Sequence, residues 1–123
     1  MNRIGTDIIE ISRVEKNLEN PRFLERVYSS EELSFYPSHW RGENMAARFC
    51  AKEALIKVFG RSVPMNEISV LNDEYGRPYY ELKGSAEVLR RELQIDFIDL
   101  SLSHCKDYAV AFAIGHCSDE RKV

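Results

Sequence analysis

One stretch limits the folds open to this chain more than any other: residues 42–60, GENMAARFCAKEALIKVFG. It reads as the longest helical segment, residues 42–59, with Gly60 a fitting stop. On a wheel of about 100° per residue, Ala47, Ala51, Ala54, Leu55, Val58 and Phe59 cover nearly every side. A helix that is apolar on most sides belongs inside a fold. Yet this one carries Arg48, Lys52, Glu53 and Lys57. Buried charges cost free energy unless they are paired or bind something charged. Glu53 and Lys57 fall about 40° apart, and Arg48 with Lys52 forms a second pair roughly 100° or more from Glu53. A Glu-Lys pair on a solvated face would be worth a few tenths of a kcal/mol. The narrowness of the polar stripes argues for more than that.

The flanking segments supply the rest of an α+β domain with a mainly antiparallel sheet. Residues 3–11 read as a strand, and regular alternation puts Asp7 on the same face as Ile9 and Ile11. Helical pattern follows from Ser12, a possible N-cap, until Asn20-Pro21 breaks it. RFLERVYSSEELSFY continues as short helices, with Ser29 or Ser30 as a cap and Pro37 as the end. EISVLNDEYGRPYYEL reads as strand, turn, strand around Asn72 to Pro78. Residues 85–93 look helical, and FIDLSLSH and YAVAFAIG read as strands joined by a tight turn at Cys105 to Asp107. Repeats, linkers and low-complexity segments are absent, and 123 residues suit one domain, 1–123.

Composition removes several function classes. The net charge is −3, which argues against a nucleic-acid binder relying on bulk positive charge. The three cysteines have no CxxC spacing, so neither a zinc site nor a disulfide framework is indicated. Thiols in a reducing cytosol fit better. The N-terminal MNRIGTDIIEI carries acidic residues in its apolar run and is not a signal peptide, and no segment is long enough to span a membrane.

Three features carry chemistry. Asp7 on an apolar strand face needs either backbone N–H partners or a cation. Mg²⁺ is typically held by one or two carboxylates, with water and substrate phosphates completing its shell. Asp7 and Glu53 suit that role, and Lys57 beside them can neutralise a phosphate. SLSH, residues 101–104, ends a strand, with His104 alternating with Leu100 and Leu102. Ser103 beside it lacks the surroundings of a hydrolase nucleophile, since no GxSxG elbow is present.

GTDIIEISR (5–13), RFCAKEALIK (48–57) and SLSH (101–104), in this order, closely resemble the holo-acyl-carrier-protein synthase family, the small bacterial-type 4′-phosphopantetheinyl transferases. The matching blocks are GxDxxxxxR, FxxKEAxxK and SxSH, and RFLERVYSSEEL and NDEYGRPYYEL extend the likeness over almost the whole chain. The resemblance implies Mg²⁺-dependent transfer of 4′-phosphopantetheine from coenzyme A to a serine of apo-acyl carrier protein, releasing adenosine 3′,5′-bisphosphate. It implies a cytoplasmic homotrimer with active sites between protomers. By motif, Asp7 and Glu53 are expected as metal ligands and Lys57 as a contact to the coenzyme A phosphates. Arg48 and His104 are expected at the nucleotide end, including its 3′-phosphate. Arg13 and Arg22, with Arg26 nearby, are expected to meet the acidic recognition helix of the carrier protein. Arg48 faces away from Glu53 on the wheel, so it is expected to reach coenzyme A held mainly by a neighbouring protomer.

The proton acceptor for the carrier serine is not identified: Glu53 and a metal-bound water are the candidates. Residues 60–68, GRSVPMNEI, form a shorter segment than the glycine-rich loop expected there. Two rivals use similar residues. A Mg²⁺-dependent nuclease would place an acid and a lysine two apart on one strand, and the chain is not basic. A non-catalytic coenzyme A or carrier-protein binding module would keep the motifs without metal-dependent turnover.

Overall fold

The computed structural model describes residues 1–118. The chain runs β1 (Asn2–Glu10), α1 (Ile11–Glu15), α2 (Pro21–Val27), α3 (Ser30–Leu33), α4 (Gly42–Phe59), a 3₁₀ turn (Met65–Glu67), β2 (Ile68–Asn72), β3 (Pro78–Leu82), α5 (Gly84–Glu92), β4 (Ile95–His104) and β5 (Tyr108–Cys117). Strands β1, β5 and β4 form an antiparallel sheet in that order, and β2 with β3 forms a separate antiparallel hairpin. The α+β, mainly antiparallel expectation is met.

Helix α4 lies on the inner face of the three-stranded sheet, and small residues on both surfaces let it come close. The inner face of β5 is Ala109, Ala111, Ala113 and Gly115, all buried. Ala51 and Ala54 of α4 are also fully buried. Gly5 of β1 is required by this approach: a Cβ there would sit 2.0 Å from the Ala54 carbonyl oxygen. Around this seam Leu55, Val58, Phe59, Ile68, Val70 and Ile95 close one core. Burying each such side chain stabilises the fold by about 1.5–3 kcal/mol. A second core joins α1 and α2 to the start of α4 through Val14, Phe23, Tyr28 and Met45.

The helix ends differ in how they are held. Gly60 takes a left-handed conformation, φ 76°, and stops α4 as expected. Ser29 is the cap of α3, and Glu32 reciprocates in a capping box. Asn20 caps α2, with Pro21 in the first turn, so the break expected there is also a helix start. The expected cap at Ser12 is corrected: β1 ends at Glu10, helix starts at Ile11, and Ser12 lies inside it. The reason is tertiary, because Ile11 is drawn into the second core and its N–H bonds the Asp107 carbonyl at 2.8 Å.

Lys52 resolves part of the puzzle of the charged helix. It is fully buried, and its ammonium pairs with Glu32 at 2.5 Å. Burial pulls its pKa down to about 8, with Glu32 opposing.

Candidate active site

The alternation of β1 and the spacing of α4 bring three side chains to one place. Asp7 stands on the inner face of β1, opposite Ala111 of β5. Lys57, near the end of α4, reaches it: Nζ donates to the Thr6 carbonyl at 2.8 Å and to Asp7 Oδ1 at 3.2 Å. Asp7 is mostly covered, 19% exposed, whereas Lys57 is 54% exposed and free to meet a ligand. Glu53, one turn before Lys57, is half-buried. Burial raises its pKa, the Asp7 charge raises it further, and Lys57 opposes both. Among the described residues its carboxylate has no hydrogen-bonding partner.

Cys50, which none of the sequence motifs marks as functional, completes the floor of this cluster. Its buried thiol lies 3.6 Å from Asp7 Oδ2 and 3.6 Å from the Ala109 carbonyl. Burial first, and then the Asp7 charge, push that thiol up to about 12, so it is a neutral donor. Asp7 therefore has one oxygen on Lys57 and the other on a weak S–H donor.

The remaining expected residues lie elsewhere. Arg48 does not join the cluster. It is 4% exposed, and its guanidinium donates to the Val70 carbonyl at 3.1 Å, the Asn44 carbonyl at 3.3 Å and the Asn72 side chain. The same guanidinium rests 3.5 Å from the centroid of the Trp40 ring, which stacks on Phe35 at 4.7 Å. Burial lowers the Arg48 pKa to about 10, within the range where it stays charged at neutral pH. His104 ends β4 on the inner face, exposed, opposite Ala109. It is two strands from β1, about 9.5 Å at the usual strand spacing. Arg13 on α1 and Arg22 and Arg26 on α2 are all exposed. Arg13 and Lys16 rim a cavity of about 180 Å³ floored by Ile9, Phe23 and Phe49. Ile9 follows Asp7 by two residues on the same strand face, so this basic rim adjoins the carboxylate cluster.

The profile of the 4′-phosphopantetheinyl transferase superfamily matches residues 3–113, which include every residue of the cluster. The chain belongs to that superfamily. A holo-[acyl-carrier-protein] synthase of Ruminiclostridium cellulolyticum is 40% identical over 127 aligned positions, covering 97% of this chain and 95% of the relative. The crystal structure of a holo-ACP-synthase from Plasmodium yoelii is 34% identical, with TM-score 0.86 over 95% of each chain. An ACPS–CoA complex from Chronobacterium ammoniagenes is 30% identical, with TM-score 0.82 over 97% of this chain and 99% of that one.

The donor set of this transferase fits a hard divalent cation of the Mg²⁺ type. Two carboxylates meet at a half-buried place, and the charge of one raises the pKa of the other. Among the described residues no third Asp, Glu, His or Cys completes a cage. That suits an ion that keeps water and takes substrate phosphate oxygens rather than one enclosed by protein alone. A metal bound there would supply charge neutralisation to a phosphoryl group in transfer.

Proposed function

We propose that this chain is a holo-acyl-carrier-protein synthase, carrying 4′-phosphopantetheine from coenzyme A to a serine hydroxyl of apo-acyl carrier protein. The observation that carries the reading is the Asp7–Glu53–Lys57 cluster, set on a close-packed strand and helix within the matched family region. The serine oxygen forms a bond to the phosphorus next to pantetheine, and the bond from that phosphorus to the bridging oxygen breaks. The leaving group is adenosine 3′,5′-bisphosphate. Such a transfer needs positioning and electrostatic stabilisation more than covalent chemistry from the protein. Lys57, held by Thr6 and Asp7 and open to solvent, points its charge at the diphosphate. Asp7 and Glu53 would hold Mg²⁺. Glu53, whose carboxylate no neighbour engages, takes the serine proton through a water. Exposed His104 binds the nucleotide end and its 3′-phosphate, and Arg48 joins it by exchanging its part-buried Asn44 and Asn72 contacts for the ligand. Arg13, Arg22 and Arg26 receive the acidic carrier protein.

Residues 1–123 act as one domain and assemble as a homotrimer in the cytoplasm, with no nucleic-acid or membrane partner. The outer face of the sheet supports the assembly part of this reading. Ile4 and Ile8 of β1 are 64% and 62% exposed, and Phe112 of β5 is 43% exposed beside them. A cavity of about 240 Å³ lined by Ile4, Gly5, Thr6, Lys57 and Phe112 connects this apolar face to the catalytic lysine. Copies packed on the face would therefore wall the active site. No described helix is long and apolar enough to cross a membrane.

The test is intact mass of apo-acyl carrier protein after incubation with this protein, coenzyme A and Mg²⁺. The reading expects a gain of about 340 Da, lost on omitting the metal or on Glu53→Ala. A folded protein giving no gain with several different carriers is instead a binding module.

A further inference from the structure

The buried ammonium of Lys52 holds more than a salt bridge needs. Four oxygens surround it: Glu32 Oε1 at 2.5 Å, and the carbonyls of Ile68 at 2.5 Å, Val27 at 2.8 Å and Met65 at 3.1 Å. Glu32 spreads the tie further. Its Oε1 accepts from the Ser29 N–H at 2.9 Å, and its Oε2 accepts from the Val70 N–H at 2.8 Å. Both side chains are 0% exposed.

Stability alone is a poor reason for such a pair. Replacing a buried ion pair with apolar residues of similar volume is often neutral or stabilising, because desolvation of two charges offsets their attraction. An apolar pair, however, cannot fix directions. The Lys52–Glu32 pair fixes the end of α2, the start of α3, the short connection after α4, and β2, all relative to α4. These are not equivalent places. Val27 closes the helix that carries Arg22 and Arg26, and Lys52 directly precedes Glu53. The short 60–68 connection is itself tied to α2, where the Asn66 side chain donates to the Glu25 carbonyl at 3.1 Å.

We infer that Lys52, with Glu32, is a positioning residue that sets the basic surface of α2 at a fixed place relative to the catalytic face of α4. Its kinetic role is in carrier-protein docking. This rests on the reading that Arg22 and Arg26 meet the carrier protein. The pair touches neither substrate.

The test compares Lys52→Met/Glu32→Leu with Arg22→Ala/Arg26→Ala in steady-state kinetics, with both substrates varied at several salt concentrations. For the paired variant, folded by circular dichroism, we expect KM for the carrier to rise about tenfold. We expect kcat and KM for coenzyme A to stay within about twofold, and the salt dependence of carrier KM to be unchanged, since every surface charge is still present. The arginine variant should raise carrier KM and flatten its salt dependence. A folded paired variant with wild-type carrier KM overturns the inference, as does a uniform loss in all parameters, which a merely structural role would give. An arginine variant with unchanged carrier KM overturns instead the docking reading beneath it. Should the paired variant not fold, Glu32→Gln carries the same comparison. It keeps the shape but presents an amide where the Ser29 or Val70 N–H needs an acceptor.

Discussion

At the scale of residues, the cluster divides its work by exposure. Asp7 is covered and doubly engaged, Glu53 is half-covered and unengaged, and Lys57 is open. Removing the lysine takes away charge stabilisation but leaves both carboxylates. Lys57→Ala should lower kcat by about 10²–10³, the usual loss for one preorganised charge donor. It should retain a Mg²⁺-induced rise in melting temperature, which Asp7→Asn should abolish. Thermal scans with and without Mg²⁺ check the pair. The Glu53–Lys57 pair was legible because one helical turn makes them neighbours, whereas Asp7, fifty residues before Lys57, was joined to them by the order of the motifs rather than by any local pattern. The Cys50 thiol against Asp7 was not, since that contact depends on how far α4 is shifted along β1. Lys52 was legible only as a charge that needed a reason. The wheel placed it beside Arg48 and could not show that its partner was Glu32, twenty residues earlier.

At the scale of elements, the site depends on β1 and α4 lying closer than most strand–helix pairs. Gly5→Ala would push a methyl into the Ala54 carbonyl, with 2.0 Å where contact distance is needed. We expect a loss of about 3 kcal/mol from such overpacking, read by chemical denaturation, with activity falling as β1 shifts Asp7. The segment order and most boundaries followed from periodicity and turn chemistry. Ser12 misled because a good capping residue was overruled by the burial of Ile11, a tertiary effect with no local mark. Helix α5 offers a prediction independent of the site. Glu87 is clasped by Arg90 at 2.7 Å and Arg91 at 3.1 Å. The hydrogen bond from Arg90 leads in lowering its pKa from 4.5 to about 2. A depressed carboxylate contributes stability that is present above 4.5 and lost as pH falls through about 2. Acid denaturation should therefore be shallower across that window in Glu87→Gln than in the parent, measured by urea unfolding at stepped pH.

At the scale of the whole molecule, one face of the sheet is committed to the helix and the other to solvent in the single chain. The outer rows Ile8–Val110 and Thr6–Phe112 are too apolar for a surface that stays wet. Phe112→Asp should dissociate the proposed homotrimer and abolish transfer while preserving the far-ultraviolet spectrum, with light scattering after size exclusion giving the mass of parent and variant. The alternation of YAVAFAIG, with Ala109, Ala111 and Ala113 buried and Val110 and Phe112 exposed, is what makes this face. Arg48 raises the question of what happens when ligand arrives. Its guanidinium lies on the ring of Trp40, the only tryptophan in the chain. The chain thus carries its one tryptophan fluorophore, excited selectively near the red edge of protein absorption, at the side chain proposed for the nucleotide. Titration with coenzyme A should shift the emission, whereas 4′-phosphopantetheine, which lacks the adenosine and its phosphates, should leave it still. Ligand arrival at that end of the site can then be timed optically in unlabelled protein, apart from the chemistry.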